Sequence, residues 1–313
     1  MNVLIRMEQL GIKVDPLKLE ALQKKLSEDL STLTSEIYGL SGSEFNIKST
    51  QQLGVVLFQQ LGLKGGKKTK TGYSTNEAVL SALVGEHPII EKILEYREYQ
   101  KILSTYVQPL LKLSNADNHS RIYTSFVQTG TATGRLSSRD PNLQNIPVRS
   151  ALGRSVREAF VAKEGYKLVS IDYSQIELRL LAHFSKDAAL LEAFNKGTDI
   201  HLATATILFG EEDAKEKRNM AKAVNFGLLY GMGPKKLSED VGITQPEAKE
   251  IIKNYFASFP TVKNFLEGIQ ERVKIDGYVE TILKRRRIFD YESANGMQKA
   301  AYMRESVNTV FQG

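Results

Sequence analysis

A chain of 313 residues with 42% hydrophobic residues is long enough for two or three subdomains with cores of their own, and this composition excludes a disordered protein. The absence of cysteine excludes disulfides, thiolate catalysis and cysteine-based zinc sites, and suits a reducing compartment. The net charge of +6 admits a polyanionic partner without requiring one.

The N-terminal segment meets charge at once and carries no secretory apolar core, so a cytoplasmic chain is expected. No run of about 18 apolar residues occurs, and no membrane-spanning helix is expected. Residues 1–38 read as helix. Val3, Leu4, Met7 and Leu10 share a face that Gly11 interrupts, and Asp15-Pro16 restarts the helix with an N-cap followed by proline in the first turn. Leu19, Leu22, Leu26, Leu30, Leu33 and Ile37 then keep the 3.6-residue period. Residues 39–75 are broken by glycines and loaded with Lys64, Lys67, Lys68 and Lys70. They read as a basic loop, either simply solvated or in contact with phosphates.

Helix is expected again from Thr75-Asn76-Glu77 to about residue 113, with a break at His87-Pro88. Asn115 to Asn118 reads as a turn, 121–129 as strand and 130–150 as loop. Leu168, Val169 and Ile171 predict a short buried strand that ends at Asp172, with a helix after it. Most of 186–275 is expected to be helical. The fold class is α+β, mostly helical, with a small sheet near the middle.

Two blocks carry chemistry. The first is Lys167 to Arg179, where Asp172 at a strand's end is placed either to hold a hard divalent cation such as Mg²⁺ or merely to cap the next helix. The second holds Arg218, Lys222, Phe226 and Tyr230 at steps of four, which puts two cations and two aromatics on one helical face. Such a face suits a ligand with a triphosphate at one end and a flat base at the other. It also suits an amphipathic surface helix with its aromatics in the core.

These blocks, in order, resemble the family A DNA polymerases. Asp172 to Arg179 looks like the family's first catalytic motif, and Arg218 to Gly231 like its nucleotide-binding fingers helix. Thr133 to Ser138 and Pro141 to Pro147 are similar to its template-primer loop, and Asp199-Ile-His201 and Arg304, Asn308, Gln312 fall in family order. The resemblance implies a right-hand architecture: thumb at about 1–110, partial palm at 111–190, fingers at 191–296 and a return to the palm at 297–313. It implies DNA-directed addition of dNTPs to a primer 3′ end in replication or repair, with primer-template DNA and dNTPs as partners.

By the same resemblance Asp172 would bind both Mg²⁺ ions of a two-metal site. Arg218 and Lys222 would bind the phosphates, with Lys222 also placed to protonate the leaving group. His201 and Gln175 would help hold the triphosphate and sugar. Phe226 would pack on the sugar, Tyr230 would stack near the base pair, and Glu177 would exclude a ribose hydroxyl. Arg135, Asn142, Gln144, Asn145, Arg149, Arg179, Arg304, Asn308 and Gln312 would touch the primer-template.

The sequence departs from the family in two ways. No proofreading-type domain precedes the thumb, and no His-Asp-Glu tripeptide, the family's third motif, occurs anywhere. That motif's Asp is the second metal carboxylate, and neither Glu305 nor Asp290 stands at a spacing that would replace it. The chain alone is therefore expected to be inactive or strongly impaired. It would be one half of a split enzyme completed by a second polypeptide, a truncated product, or a non-catalytic module that binds primer-template and nucleotide.

Overall fold

The computed structural model describes residues 2–66, 68–69, 72–148 and 150–313. They form two compact units, one of residues 1–127 and 137–169, the other of 128–136 and 170–313.

In the first unit, α1 (Asn2–Leu10) leads through β1 (Ile12–Lys13) to the long α2 (Pro16–Ser41). The predicted start holds: Asp15 Oδ1 accepts from the Leu17 N–H, Pro16 fills the first turn, and Gly42, left-handed at φ +71°, closes the far end. All six residues of the predicted apolar stripe are buried, with Leu19, Leu26 and Ile37 at 0% exposure. By contrast α1 buries none of its residues. After α3 (Thr50–Val55), β2 (Lys68–Thr69) and β3 (Gly72–Tyr73) form an antiparallel hairpin in the basic segment. Lys64 and Lys68 are exposed there, whereas Lys67 and Lys70 lie outside the described residues.

Next come α4 (Glu77–Ser81) and α5 (Pro88–Lys101), capped by Asn76 and His87 at the predicted places. A π-helical stretch, Ile102–Val107, joins α5 to α6 (Gln108–Ala116) without interruption. Pro109 has no N–H to return to the preceding turn, and the wider winding ahead of it accommodates its ring. The helix reaches Ala116, two residues into the expected turn. The unit closes with β4 (Arg121–Ile122) on β1, β5 (Ser125–Val127) on β6 (Ser137–Arg139), and α7 (Ala151–Glu158).

Two expectations fail here. Residues 130–150 are not all loop, because 137–139 pair as β6 and Leu143–Asn145 wind a single 3₁₀ turn. No apolar alternation announces β6. The buried hydroxyl of Ser138, which accepts from the Leu143 and Gln144 N–H groups, ties the strand to the turn. The strand expected at 167–171 does not form. Leu168, Val169 and Ile171 are 60, 77 and 90% exposed, because no strand among the described residues pairs with them and an apolar run without a partner ladder has nothing to cover it. The described strands are four separate antiparallel pairs, one of them β5 with β6 near the middle of the chain, and the remaining regular structure is helical, as the α+β, mostly helical class expects.

The second unit is built from α8 (Ile176–Ser185), α9 (Ala188–Asn195), α10 (Ile200–Phe209), α11 (Ala214–Leu229), α12 (Pro234–Val241), α13 (Gln245–Ser258), α14 (Pro260–Ile275) and α15 (Gly296–Gln312). A hairpin of β7 (Tyr278–Glu280) and β8 (Arg286–Ile288) precedes α15. Leu178, Leu181, Val224, Leu228, Tyr255, Phe259, Val262, Val307 and Phe311 are among its core residues.

Candidate functional site

The second unit brings α8, α11, α15 and the 128–136 loop to one point. Gln175 enters α8 in the left-handed region at φ +53°, and Arg179 fixes that entry by donating from Nε to the Ser174 carbonyl at 3.0 Å while its guanidinium lies 4.7 Å over the Phe194 ring. Glu177 then falls in the first turn of α8, where a carboxylate is favoured by the unpaired N–H groups. Its Oε1 pairs with Arg135 Nη2 at 3.2 Å, and its Oε2 accepts a short hydrogen bond from the Tyr230 hydroxyl. Gln312 Nε2 donates to the same hydroxyl at 3.2 Å. Burial, and then the Glu177 bond, push the Tyr230 phenol up to about 12, so it stays a donor.

Tyr230 caps the C-terminus of α11, and Gly231 follows at φ +71°. A Cβ on Gly231 would lie 2.8 Å from Arg304 Cγ, so the glycine is what lets α15 pass this close. On the same face of α15, Asn308 Oδ1 is buried with no hydrogen-bond partner among the described residues.

A second cluster joins α10 to α11. Asp199 caps α10, with Oδ1 accepting from the N–H groups of His201 and Leu202 at 2.9 and 3.2 Å. Its Oδ2 accepts from Arg218 Nε at 2.8 Å and pairs with Arg218 Nη2 at 2.6 Å. Burial alone would push the Asp199 carboxyl up, but the bonds from Arg218 and the two backbone N–H groups outweigh it and hold the group below its usual range. His201 is 2% exposed, packs 5.5 Å from the Phe226 ring, and meets Asn225 Nδ2 at 3.2 Å through Nδ1. Burial lowers its pKa; Asp199 raises it, and Arg218 and Lys222 lower it further. Lys222 is exposed and has no ion pair among the described residues.

The predicted spacing on α11 therefore holds, with Arg218, Lys222, Phe226 and Tyr230 running from the helix's first half to its end. Arg135, Glu177, Tyr230 and Gln312 are linked directly. Asp172 stands exposed in irregular chain before α8, not at a strand's end. No group of three His, Asp or Glu among the described residues could hold a metal, and Glu305 is engaged by Arg287 Nη2. In the first unit, Asn142 caps the 3₁₀ turn by accepting from Gln144 N, and the Asn145 carbonyl accepts from Tyr106 Oη at 2.6 Å. Arg149 lies outside the described residues. The structure adds roles for Asp199, Thr204 and Asn225. Asp199 stands just before an apolar helical run, an ordinary N-cap signal, and Asn225 is a lone polar residue among Val224, Leu228 and Leu229.

The sequence profile described as DNA polymerase family A matches residues 17–313. DNA polymerase I of Helicobacter pylori strain J99 is 50% identical over 313 residues, which are 100% of this chain and 34% of that protein. The Geobacillus stearothermophilus DNA polymerase I is 47% identical, over 100% of this chain and 36% of that protein. For the thermostable DNA polymerase I of Thermus aquaticus the identity is 47%, over 99% and 38%. This chain thus spans about a third of the length of these relatives. Among solved structures, the POL domain of Pol1 from M. smegmatis in complex with DNA primer-template and dNTP superimposes with a TM-score of 0.88. That chain is 39% identical, and the match covers 99% of this chain and 55% of that one.

Proposed function

The chain belongs to DNA polymerase family A, and from that premise we propose that it supplies the nucleotide-binding part of a DNA-directed DNA polymerase that adds dNTPs to a primer 3′ end. The observation that carries this reading is the α11 face. Arg218 is aimed by Asp199, Lys222 is exposed and unpaired among the described residues, and Phe226 and Tyr230 follow at the helix's end. Arg218 and Lys222 neutralise the triphosphate, and Lys222 is free to pass a proton to the departing pyrophosphate. Phe226 packs on the sugar. Glu177, held by Tyr230 and Arg135, presents a fixed carboxylate against the sugar's C2′ edge, where a ribose hydroxyl would collide. Gln175 and His201 complete the triphosphate and sugar contacts.

Arg135, Arg179, Arg304, Asn308 and Gln312 in one unit, and Asn142, Gln144 and Asn145 in the other, contact primer-template. On this reading the thumb spans about 1–110, the partial palm 111–190, the fingers 191–296 and the return to the palm 297–313. Asp172 fits a Mg²⁺ ion that keeps several waters and takes phosphate oxygens, since such an ion needs only one or two protein carboxylates. When bound, the ion would polarise phosphate oxygens and neutralise their charge. The sequence holds no His-Asp-Glu, so the second carboxylate must come from a further segment, in the same polypeptide or a second one.

Primer extension on a primed DNA template with Mg²⁺ and four dNTPs tests this, with Asp172→Asn as control. We expect at most weak extension by this chain, restored and Asp172-dependent when a palm segment bearing His-Asp-Glu is added. Tight DNA and dNTP binding without extension, even then, would favour a non-catalytic binding module.

A further inference from the structure

We propose that Asn225 is a positioning residue: with Thr204 it holds His201 as the neutral tautomer whose proton is on Nε2, so that this histidine offers an N–H donor to an anionic ligand. The ligand half of this rests on the reading of α11 as a triphosphate site. The tautomer follows from the hydrogen bonds alone.

The hydroxyl of Thr204 has one proton, and Oγ1 lies 2.8 Å from the Ile200 carbonyl, which can only accept. Of its two possible acceptors, the Ile200 carbonyl at 2.8 Å takes that proton in preference to Asn225 Oδ1 at 3.3 Å. Asn225 Nδ2, at 3.0 Å, donates into the remaining lone pair of Oγ1, and the contact of Asn225 Oδ1 at 3.3 Å receives no proton from it. The amide is oriented as a result, because exchanging its ends would set its carbonyl oxygen against an oxygen with no proton to give.

The second N–H of Nδ2 then points at His201 Nδ1, 3.2 Å away, which must be bare to accept it. A neutral imidazole with a bare Nδ1 carries its proton on Nε2. The three side chains are buried, at 2% exposure for His201, 0% for Thr204 and 1% for Asn225. A proton on Nδ1 would oppose two donors where no water can intervene, a costly arrangement at low dielectric.

Nε2 has no hydrogen-bond partner among the described residues. Yet the only buried side-chain N or O atom without a partner, among the described residues, is Asn308 Oδ1. Nε2 therefore reaches solvent and is the atom available to a ligand. Burial, Arg218 and Lys222 keep the ring neutral against the pull of Asp199.

The experiment is nitrogen-15 NMR of the imidazole nitrogens. The chain has four histidines, and the His201 signals are identified by their loss in His201→Gln. We expect a protonated Nε2 and a bare Nδ1. Asn225→Asp should move the proton to Nδ1. Thr204→Val should let the two tautomers average, and Thr204→Ser should keep the wild-type pattern. A protonated Nδ1 in wild type, or His201 signals indifferent to Asn225→Asp and Thr204→Val, would overturn the assignment. Because the threonine pair alters no charge, it also reads the ligand half. Thr204→Val should bind inorganic tripolyphosphate about twofold more weakly, because only the Nε2-protonated share of an averaged ring is competent, and Thr204→Ser should bind it unchanged. Equal binding by all three proteins would refute the positioning role. No binding by wild type would sink the triphosphate reading itself, with the spectra still deciding the tautomer.

Discussion

Asp199 makes two kinds of contact through two oxygens, and substitution can separate them. Oδ1 caps α10, which is worth about 1 kcal/mol. Oδ2 holds Arg218 in a pair whose side chains are 35 and 40% exposed, so solvent screening limits it to about 0–1 kcal/mol. Asp199→Asn keeps an oxygen for the cap and loses the charge, and should cost at most about 1 kcal/mol. Asp199→Ala loses both and should cost about 1–2 kcal/mol. Urea unfolding followed by circular dichroism measures both. Since the folded-state pKa of Asp199 lies below its unfolded value, its contribution is present above the unfolded pKa and fades as pH falls through the folded one. The gap between wild type and Asp199→Asn should therefore close in acid. In the Asp199→Ala background, Arg218→Ala should cost less than it does alone. Equal stability of the Ala and Asn variants would refute the cap assignment, and additive costs for Asp199 and Arg218 would refute the pair.

Gly153→Ala should destabilise the first unit by about 1–3 kcal/mol, because the new Cβ would lie 2.5 Å from the Pro147 carbonyl oxygen; an unchanged urea midpoint would show that this approach is free to relax. Burial, and then the Glu177 bond, raise the Tyr230 phenol to about 12 from an ordinary 10, so the stability they contribute is full below pH 10 and is lost as pH climbs towards 12. Stability curves of Tyr230→Phe should fall less steeply than wild type over that alkaline window, and parallel curves would contradict the Glu177 bond. Glu177→Ala should narrow the preference for dNTP over rNTP in competition binding, since the steric objection to a 2′-hydroxyl goes; an unchanged ratio would count against the gate.

The helices and their faces are legible in the amino-acid order alone. The stripe from Leu19 to Ile37, the caps at Asp15, Asn76 and His87, and the four-residue spacing on α11 all survive folding. A helix makes its hydrogen bonds within one segment, so period and cap are written locally. Ordered motifs likewise sufficed to identify the family.

Whatever depends on partners distant in sequence is set by packing. Leu168, Val169 and Ile171 have the composition of a buried strand and stay exposed, because a strand is made by its neighbour. Ser137–Arg139, without an apolar pattern, does become a strand, because β5 and the Ser138 hydroxyl hold it. Glu177 meets Tyr230 across 53 positions, and Asn225 meets His201 across 24. The residue types announce what each group can donate or accept. Which group faces which, and therefore which proton sits where, is fixed by the packing of α8, α10, α11 and α15.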